Sequence, residues 1–484
     1  MYKRYIEKEI TFGVIVATRG FFNPDHAKKG RKEIIAKLKE LGYNHVILPE
    51  SATEHSAVES LSDAKKCANL FREHSQEIDG ILVLNPNFGD EQGVVEAIDR
   101  SGLKVPVMVV ALPDDPKKVG VKERRDAFCG KISISNNFYQ YGIEFTNTKF
   151  FTEALDSKEL EEDLAHFASV CRVVGGIRQA RIGVIGARPE PFHTVRFSER
   201  LMQQTGIKMV TVDLSEIIAG AEKRDENSAE VKELLSQMRE YGSIPNKIME
   251  KNVVKQACLS AEINAWMDTN ELDASTIQCW SSIQDNYGCA TCLSMSMMGE
   301  RLMPSACEVD AAGVVSMYTL ALATKRSPGF LDWNNNVGED PNLVACTHCS
   351  NYPKSFFGEG ADLEISNLDV LGMTLGEERC FGAIKGRVQP GDMTYFRMST
   401  DDINGRIHAY VGEGEFTDDP FPMDGGVAVA RVPEMQKFFR WMTKAGFEHH
   451  VAMVRGRAAR AIHEAATTYL KWDNYWHEPD QSVL

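Results

Sequence analysis

Residues Ile10–Thr18 read I-T-F-G-V-I-V-A-T, a short run of mostly apolar and β-branched side chains. A run apolar on both alternating faces is a strand buried on both sides, which is the habit of parallel sheets. Arg19 and Gly20 follow it, and Asp25–Leu41 has helical character. The pattern repeats: strands at His45–Pro49, Gly80–Leu84 and Val105–Leu112 alternate with helices at Asp63–His74 and Glu91–Ser101. Such alternation predicts a doubly wound parallel sheet, with ligands collecting outside the carboxyl ends of its strands.

Working outward, a helical connection at Lys158–Ile177 leads to a second unit of the same kind. Its strands are Ala180–Gly186, Met209–Asp213 and Ala274–Trp280, with helices at Ala229–Tyr241 and Lys247–Asn270. Pro304–Glu308, Gly313–Ala323, Gly329–Trp333 and Leu343–His348 continue the β/α alternation. Beyond residue 350 β-type runs replace the helices, at Leu363–Leu371, Ala383–Val388, Met393–Ser399, Ile407–Val411 and Gly426–Arg431. The expected fold class is α/β. Two doubly wound, Rossmann-like parallel-sheet domains (1–155 and 156–350) precede a C-terminal antiparallel, barrel-like β domain (351–484).

A net charge of −15 offers no basic stripe for nucleic acid and suits an anionic membrane surface poorly. The N-terminal M-Y-K-R-Y-I-E-K-E-I lacks an apolar core of signal-peptide length, and no stretch approaches a membrane span. Eleven cysteines, an odd number, fit reduced thiols in a cytoplasm better than a disulfide framework. Gly183 and Gly186 lack dinucleotide spacing and no P-loop is present, so no nucleotide cofactor is expected. The pairs Cys289/Cys292 and Cys346/Cys349 stand too far apart for a zinc ribbon and read as buried small hydrophobes.

Chemistry concentrates in Met303–Ser350: M-P-S-A-C-E-V-D, then F-L-D-W-N-N-N, then L-V-A-C-T-H-C-S. Glu308, Asp332 and His348 each fall at or just after an apparent strand end. Carboxylates in apolar surroundings are rarely buried unless paired or bound to a cation. The plainer role is capping of the following helix, as Asp310 would do. The separation of Glu308 and Asp332 suits one β-α-β step, which would deliver both to one sheet edge and one hard divalent ion. His449 and His450 are adjacent on a late strand or loop, so at most one is expected to face a given site.

The order strand–Glu308–helix–strand–Asp332, followed much later by F-E-H-H-V-A-M-V-R-G-R, resembles the L-fucose isomerase and L-arabinose isomerase family. The resemblance is most specific in P-S-A-C-E-V-D, F-L-D-W-N and the H-H segment. It implies a metal-dependent enzyme interconverting an unphosphorylated aldose and its ketose through a cis-enediolate. By resemblance Glu308 and Asp332 bind Mn²⁺ (Mg²⁺ and Co²⁺ also suit) and move protons, with His450 as histidine ligand and His348 as a fourth. His449, Gln278 and Arg19 would contact sugar, Arg19 in a neighbouring subunit's site. Trp280 and Trp333 could offer an apolar face, core packing being their competing role. A homo-oligomer is implied, hexameric or otherwise trimer-based, with sites at subunit contacts. Features of both branches are mixed, leaving the sugar open among deoxy-hexoses, pentoses and C6-modified hexoses such as sulfoquinovose. A sugar-binding sensor, or a lyase or aldolase using the same enediolate, are the rival readings.

Overall fold

The computed structural model describes residues 4–478, which form two compact units. One comprises Glu7–Gly175 with Thr468–Lys471; the other comprises Gly176–Thr467 with the residues before Glu7 and after Lys471.

The first unit is built on five parallel strands: β1 (Thr11–Val16), β2 (Asn44–Ile47), β3 (Gly80–Asn85), β4 (Val107–Ala111) and β5 (Thr146–Asn147), in the order β2-β1-β3-β4-β5. Successive residues of β1 enter different cores. Phe12, Val14 and Val16 pack with Ile34, Leu38 and Phe167, while Ile15 packs with Phe71, Val94 and Phe138. Helices therefore cover both faces, as the unbroken apolar run at the start of the chain requires.

The second unit holds two sheets. Strands β6 (Arg181–Ile185), β7 (Lys208–Val212), β8 (Ala274–Ile277) and β9 (Ser305–Cys307) are parallel, in the order β7-β6-β8-β9. The remaining nine are β10 (Gly329–Asn336), β11 (Leu343–Thr347), β12 (Glu364–Asn367), β13 (Phe381–Arg387), β14 (Gly391–Asp401), β15 (Arg406–Thr417), β16 (Gly426–Arg431), β17 (His450–Arg455) and β18 (Asp473–His477). They run β12-β13-β16-β11-β10-β17-β14-β15-β18, and β15 also pairs with β16, so six strands pair around a ring.

Two expectations need correction. β10 and β11 do not extend the parallel sheet; they pair antiparallel with each other and with β17 and β16. The large sheet is also mixed rather than antiparallel, because β13–β16 and β15–β18 are parallel pairs. The helix Ala311–Thr324 gives the physical reason. Its sequence, A-A-G-V-V-S-M-Y-T-L-A-L-A-T, has no polar face, and Ala311–Ala323 are all buried. A helix apolar all round must be covered on all sides. It packs on β8 and β9 of one sheet and on β14 and β17 of the other. The helix therefore leads from one sheet into the next instead of closing a β-α-β step.

Candidate active site

Strand ends from both sheets of the second unit converge at the amino end of this helix. Glu308 follows β9, and His348 follows β11. Asp332 lies within β10, directly across from His450 at the start of β17. Opposed residues of an antiparallel pair project to the same face, so this pairing sets carboxylate and imidazole side by side. The loops at these strand ends hold backbone conformations that side-chain-bearing residues avoid. Trp280 and Ser281 after β8, Glu308 and Val309 after β9, and Ser350 after β11 all have φ between 57° and 67°. Left-handed backbone costs a non-glycine residue roughly 1–3 kcal/mol and persists where the surroundings impose it. Here it turns the chain sharply off the strand and aims Glu308 inward.

Glu308 is 2% exposed. The Trp280 indole Nε1 donates to its Oε1 at 2.7 Å, and its Oε2 lies 3.3 Å from His450 Nε2. Asp332 Oδ1 lies 3.5 Å from His450 Nε2, 3.7 Å from His348 Nε2 and 3.9 Å from His449 Nε2. His450 is oriented from behind, its Nδ1 donating to Asp310 Oδ2 at 2.8 Å. Asp310 also caps the central helix, accepting from the Gly313 amide, and takes a two-pronged grip from Arg397 at 2.8 and 3.2 Å. Arg397 is completely buried in β14 and bonds through Nε to Glu448. The Phe330 ring backs both His348 and His450, with centroids 5.1 and 5.0 Å away.

These contacts set the charges. Burial raises the Asp310 carboxyl, but Arg397 and His450 outweigh it and hold it far below the usual carboxylate range. Burial also opposes ionisation of Glu308, yet the neighbouring His450 and His348 keep it below its ordinary value. Burial disfavours the His450 cation, while the hydrogen bond to Asp310 and the nearby carboxylates of Glu308 and Asp332 push it up to about 10. His348 likewise rises to about 9 against its own burial, chiefly through the Asp332 charge. Asp310 and Glu448 face the Arg397 guanidinium, whereas Glu308 and Asp332 face the imidazoles of His450 and His348, so three cationic groups stand among four carboxylates.

The donor set also fits a hard divalent cation. Among the described residues, Glu308 Oε2 and Asp332 Oδ1 are buried without a hydrogen-bond donor. With Nδ1 of His450 committed to Asp310, its Nε2 is the atom left to face them. A ligating imidazole held by a carboxylate through its other nitrogen is the usual support of a metal ligand. Glu308, His348 and His450 each offer a ligand atom within 4.8 Å of the others, and so do Asp332, His449 and His450.

Residues 13–178 match the N-terminal domain model of fucose/sulfoquinovose isomerases, and residues 346–477 match the C-terminal domain model of L-fucose isomerase. The chain belongs to the L-fucose isomerase family. It is a sugar isomerase. Among its relatives, a sulfoquinovose isomerase of Priestia aryabhattai is 27% identical over 386 residues, covering 78% of this chain and 81% of that protein. One from Alkalicoccus urumqiensis is 26% identical over 425 residues, covering 84% and 88%. One from Clostridium sp. is 22% identical over 349 residues, covering 71% and 74%.

The structure places the other expected residues of this isomerase unevenly. Trp280 stands at the site, its ring 5.3 Å from Phe192. His449 keeps about half of its side chain in solvent beside Asp332. Gln278 spends both ends of its amide inside the protein, accepting from the Ala187 amide and donating to Ser282. Trp333 packs on Tyr395 and Phe439 and donates to Tyr410, within the β-domain core. Arg19 belongs to the first unit, where it pairs with Glu91 and lies over the Phe88 ring. Sequence reading missed Arg397 and Glu448 and credited Asp310 only with capping. A charged residue inside the apolar run T-Y-F-R-M-S-T was the available signal for Arg397.

Proposed function

We propose that this isomerase interconverts an aldose and its ketose, with sulfoquinovose as the first sugar to test, and that Glu308, Asp332, His348 and His450 hold its divalent metal. One observation carries the reading: the uncompensated oxygens of Glu308 and Asp332 face the Asp310-oriented imidazole of His450. The names of the relatives support the choice of sugar. The oxygen-rich ligand set favours Mn²⁺, with Mg²⁺ or Co²⁺ as substitutes.

The reaction moves a proton between C1 and C2 of the open-chain sugar by way of a cis-enediolate. A bound divalent cation supplies positive charge beside O1 and O2 as negative charge develops there. Trp280 fixes Oε1 of Glu308 and so orients the carboxylate that would accept and return a proton. Asp332 is the second such carboxylate, and the two would share the carbon and hydroxyl protons. Both must be ionised to act as bases, which the surrounding histidines favour for Glu308. His449, half exposed beside Asp332, would hold a sugar hydroxyl. The active form is a homo-oligomer in which Arg19 of one copy serves the site of another.

Chelator-stripped protein, assayed with and without Mn²⁺ on a panel of aldoses and followed by NMR, tests the reading. Metal-dependent ketose formation from sulfoquinovose is expected. Glu308→Gln and Asp332→Asn should each abolish it with the fold intact. Near-wild-type turnover in either variant, or a shorter product, would overturn the assignment.

A further inference from the structure

A second cluster of ligand-type side chains lies against the first. Cys279 follows β8, Cys307 ends β9 and Cys349 follows β11, so the same three strand ends supply them. Their sulfurs all lie within 4.8 Å of one another. Cys307 is fully buried, Cys279 is 3% exposed, and Cys349 is half-buried. Neither C-x-x-C pair noted in the sequence comes together as a site: Cys346 lies in the β-domain core, while Cys349 joins two cysteines far from it in sequence.

We infer that Cys279, Cys307 and Cys349 form a thiolate site for one soft divalent cation, of the class of Zn²⁺ or Cd²⁺. Sulfurs bound to a shared zinc at about 2.3 Å stand about 3.8 Å apart in tetrahedral geometry. The trio needs to draw in by only about 1 Å to reach that spacing, which small side-chain rotations supply. Three protein ligands leave the fourth position open.

Donor chemistry keeps the two clusters apart. Thiolates select soft ions, whereas the carboxylate and imidazole set next door selects hard or borderline ones. Each cysteine is covalently adjacent to a residue of the oxygen-rich site: Cys279 to Trp280, Cys307 to Glu308, and Cys349 to His348. A buried cysteine is ordinarily a small hydrophobe; Cys289 shares a core with Cys279 and Cys307 but stands outside their cluster of sulfurs. Three thiols from three strand ends, mutually within reach, go beyond packing.

The test uses the full reduced chain, stripped of metal, carrying Cys129→Ser to remove the exposed thiol. It is titrated with Cd²⁺ in saturating Mg²⁺, and the sulfur-to-cadmium charge-transfer band is read in the near ultraviolet. A band that saturates at one Cd²⁺ per chain is expected. Cys279→Ala should lose this saturable phase, and Cys289→Ala should keep it. Cadmium NMR of the chain without Cys279→Ala adds a readout that does not depend on how that variant folds, and its shift should report sulfur ligation. An oxygen-type shift, no saturable band, or equal effects of the two alanine variants would overturn the site. None of these readouts depends on turnover, so the inference stands or falls separately from the proposed reaction.

Discussion

Asp310 shows how one side chain can serve three partners: it caps the central helix, neutralises Arg397 and fixes the tautomer of His450. Asp310→Asn keeps the shape of the side chain but loses its charge. Loss of such a supporting carboxylate weakens metal binding by about 10–100-fold. It also leaves Arg397 buried against Glu448 alone, a loss on the order of 3 kcal/mol. Mn²⁺ affinity measured by paramagnetic resonance on folded variant protein should fall by that factor; unchanged affinity would show that His450 does not need Asp310. Glu308 and Asp332 stood out in the sequence because carboxylates interrupt apolar runs there, and the family resemblance singled out His450 from His449. The role of Asp310 beyond capping was not, since its partners Arg397 and His450 are 87 and 140 residues away. Pairings at that range depend on which strands become neighbours, and local pattern carries no record of that.

The central helix is the element on which the site rests, and Gly313 is its tightest point. A Cβ there would stand 2.5 Å from Phe330 Cζ and 2.8 Å from Asp310 Cγ. Gly313→Ala must therefore push on the ring that backs both histidines and on the carboxylate that orients one of them. Overpacking of this kind typically costs about 1–3 kcal/mol. Melting temperature should drop, and kcat should fall by more than KM rises; unaltered kinetics would mean that Phe330 and Asp310 yield without moving the site. β18 gives a second test, on stability. Burial pushes His477 down to about 4, and its ring stacks on Phe438 at 4.6 Å. Unfolded, the same histidine titrates near about 6.5. Between those values the unfolded chain binds a proton that the folded chain refuses. This contribution to stability is therefore complete above about pH 6.5 and lost as pH falls towards 4, about 3 kcal/mol in all. Urea unfolding of the wild type should show that extra acid sensitivity relative to His477→Phe, and parallel pH profiles would refute it. Most strands were readable from periodicity, though β5 and β18 were not and the run Leu363–Leu371 turns helical from Asp369; β10 and β11 look the same in sequence whether they join a parallel or an antiparallel sheet. What could have separated the two is the central helix, whose lack of any polar face calls for a sheet on each side.

For the whole molecule, the question is how many copies make one active site. Arg19 belongs to one compact unit and Glu308 to the other. Phe21, two residues beyond Arg19, is 92% exposed, and Tyr139 in the same unit is 84% exposed. A second copy of the chain that takes in Arg19 would cover Phe21 as well. If Arg19 serves a neighbour's site, damage to it and damage to Glu308 lie on different chains of one working centre. Arg19→Ala and Glu308→Gln should then each be inactive as pure oligomers. Dissociating the two variants, mixing them and reassembling them should restore activity, because some centres draw an intact Arg19 from one chain and an intact Glu308 from the other. Phe21→Asp should shift the mass measured by light scattering towards smaller species and block the rescue. Activity that stays at the level of the unmixed variants, in mixtures shown to exchange subunits, would confine Arg19 to its own chain.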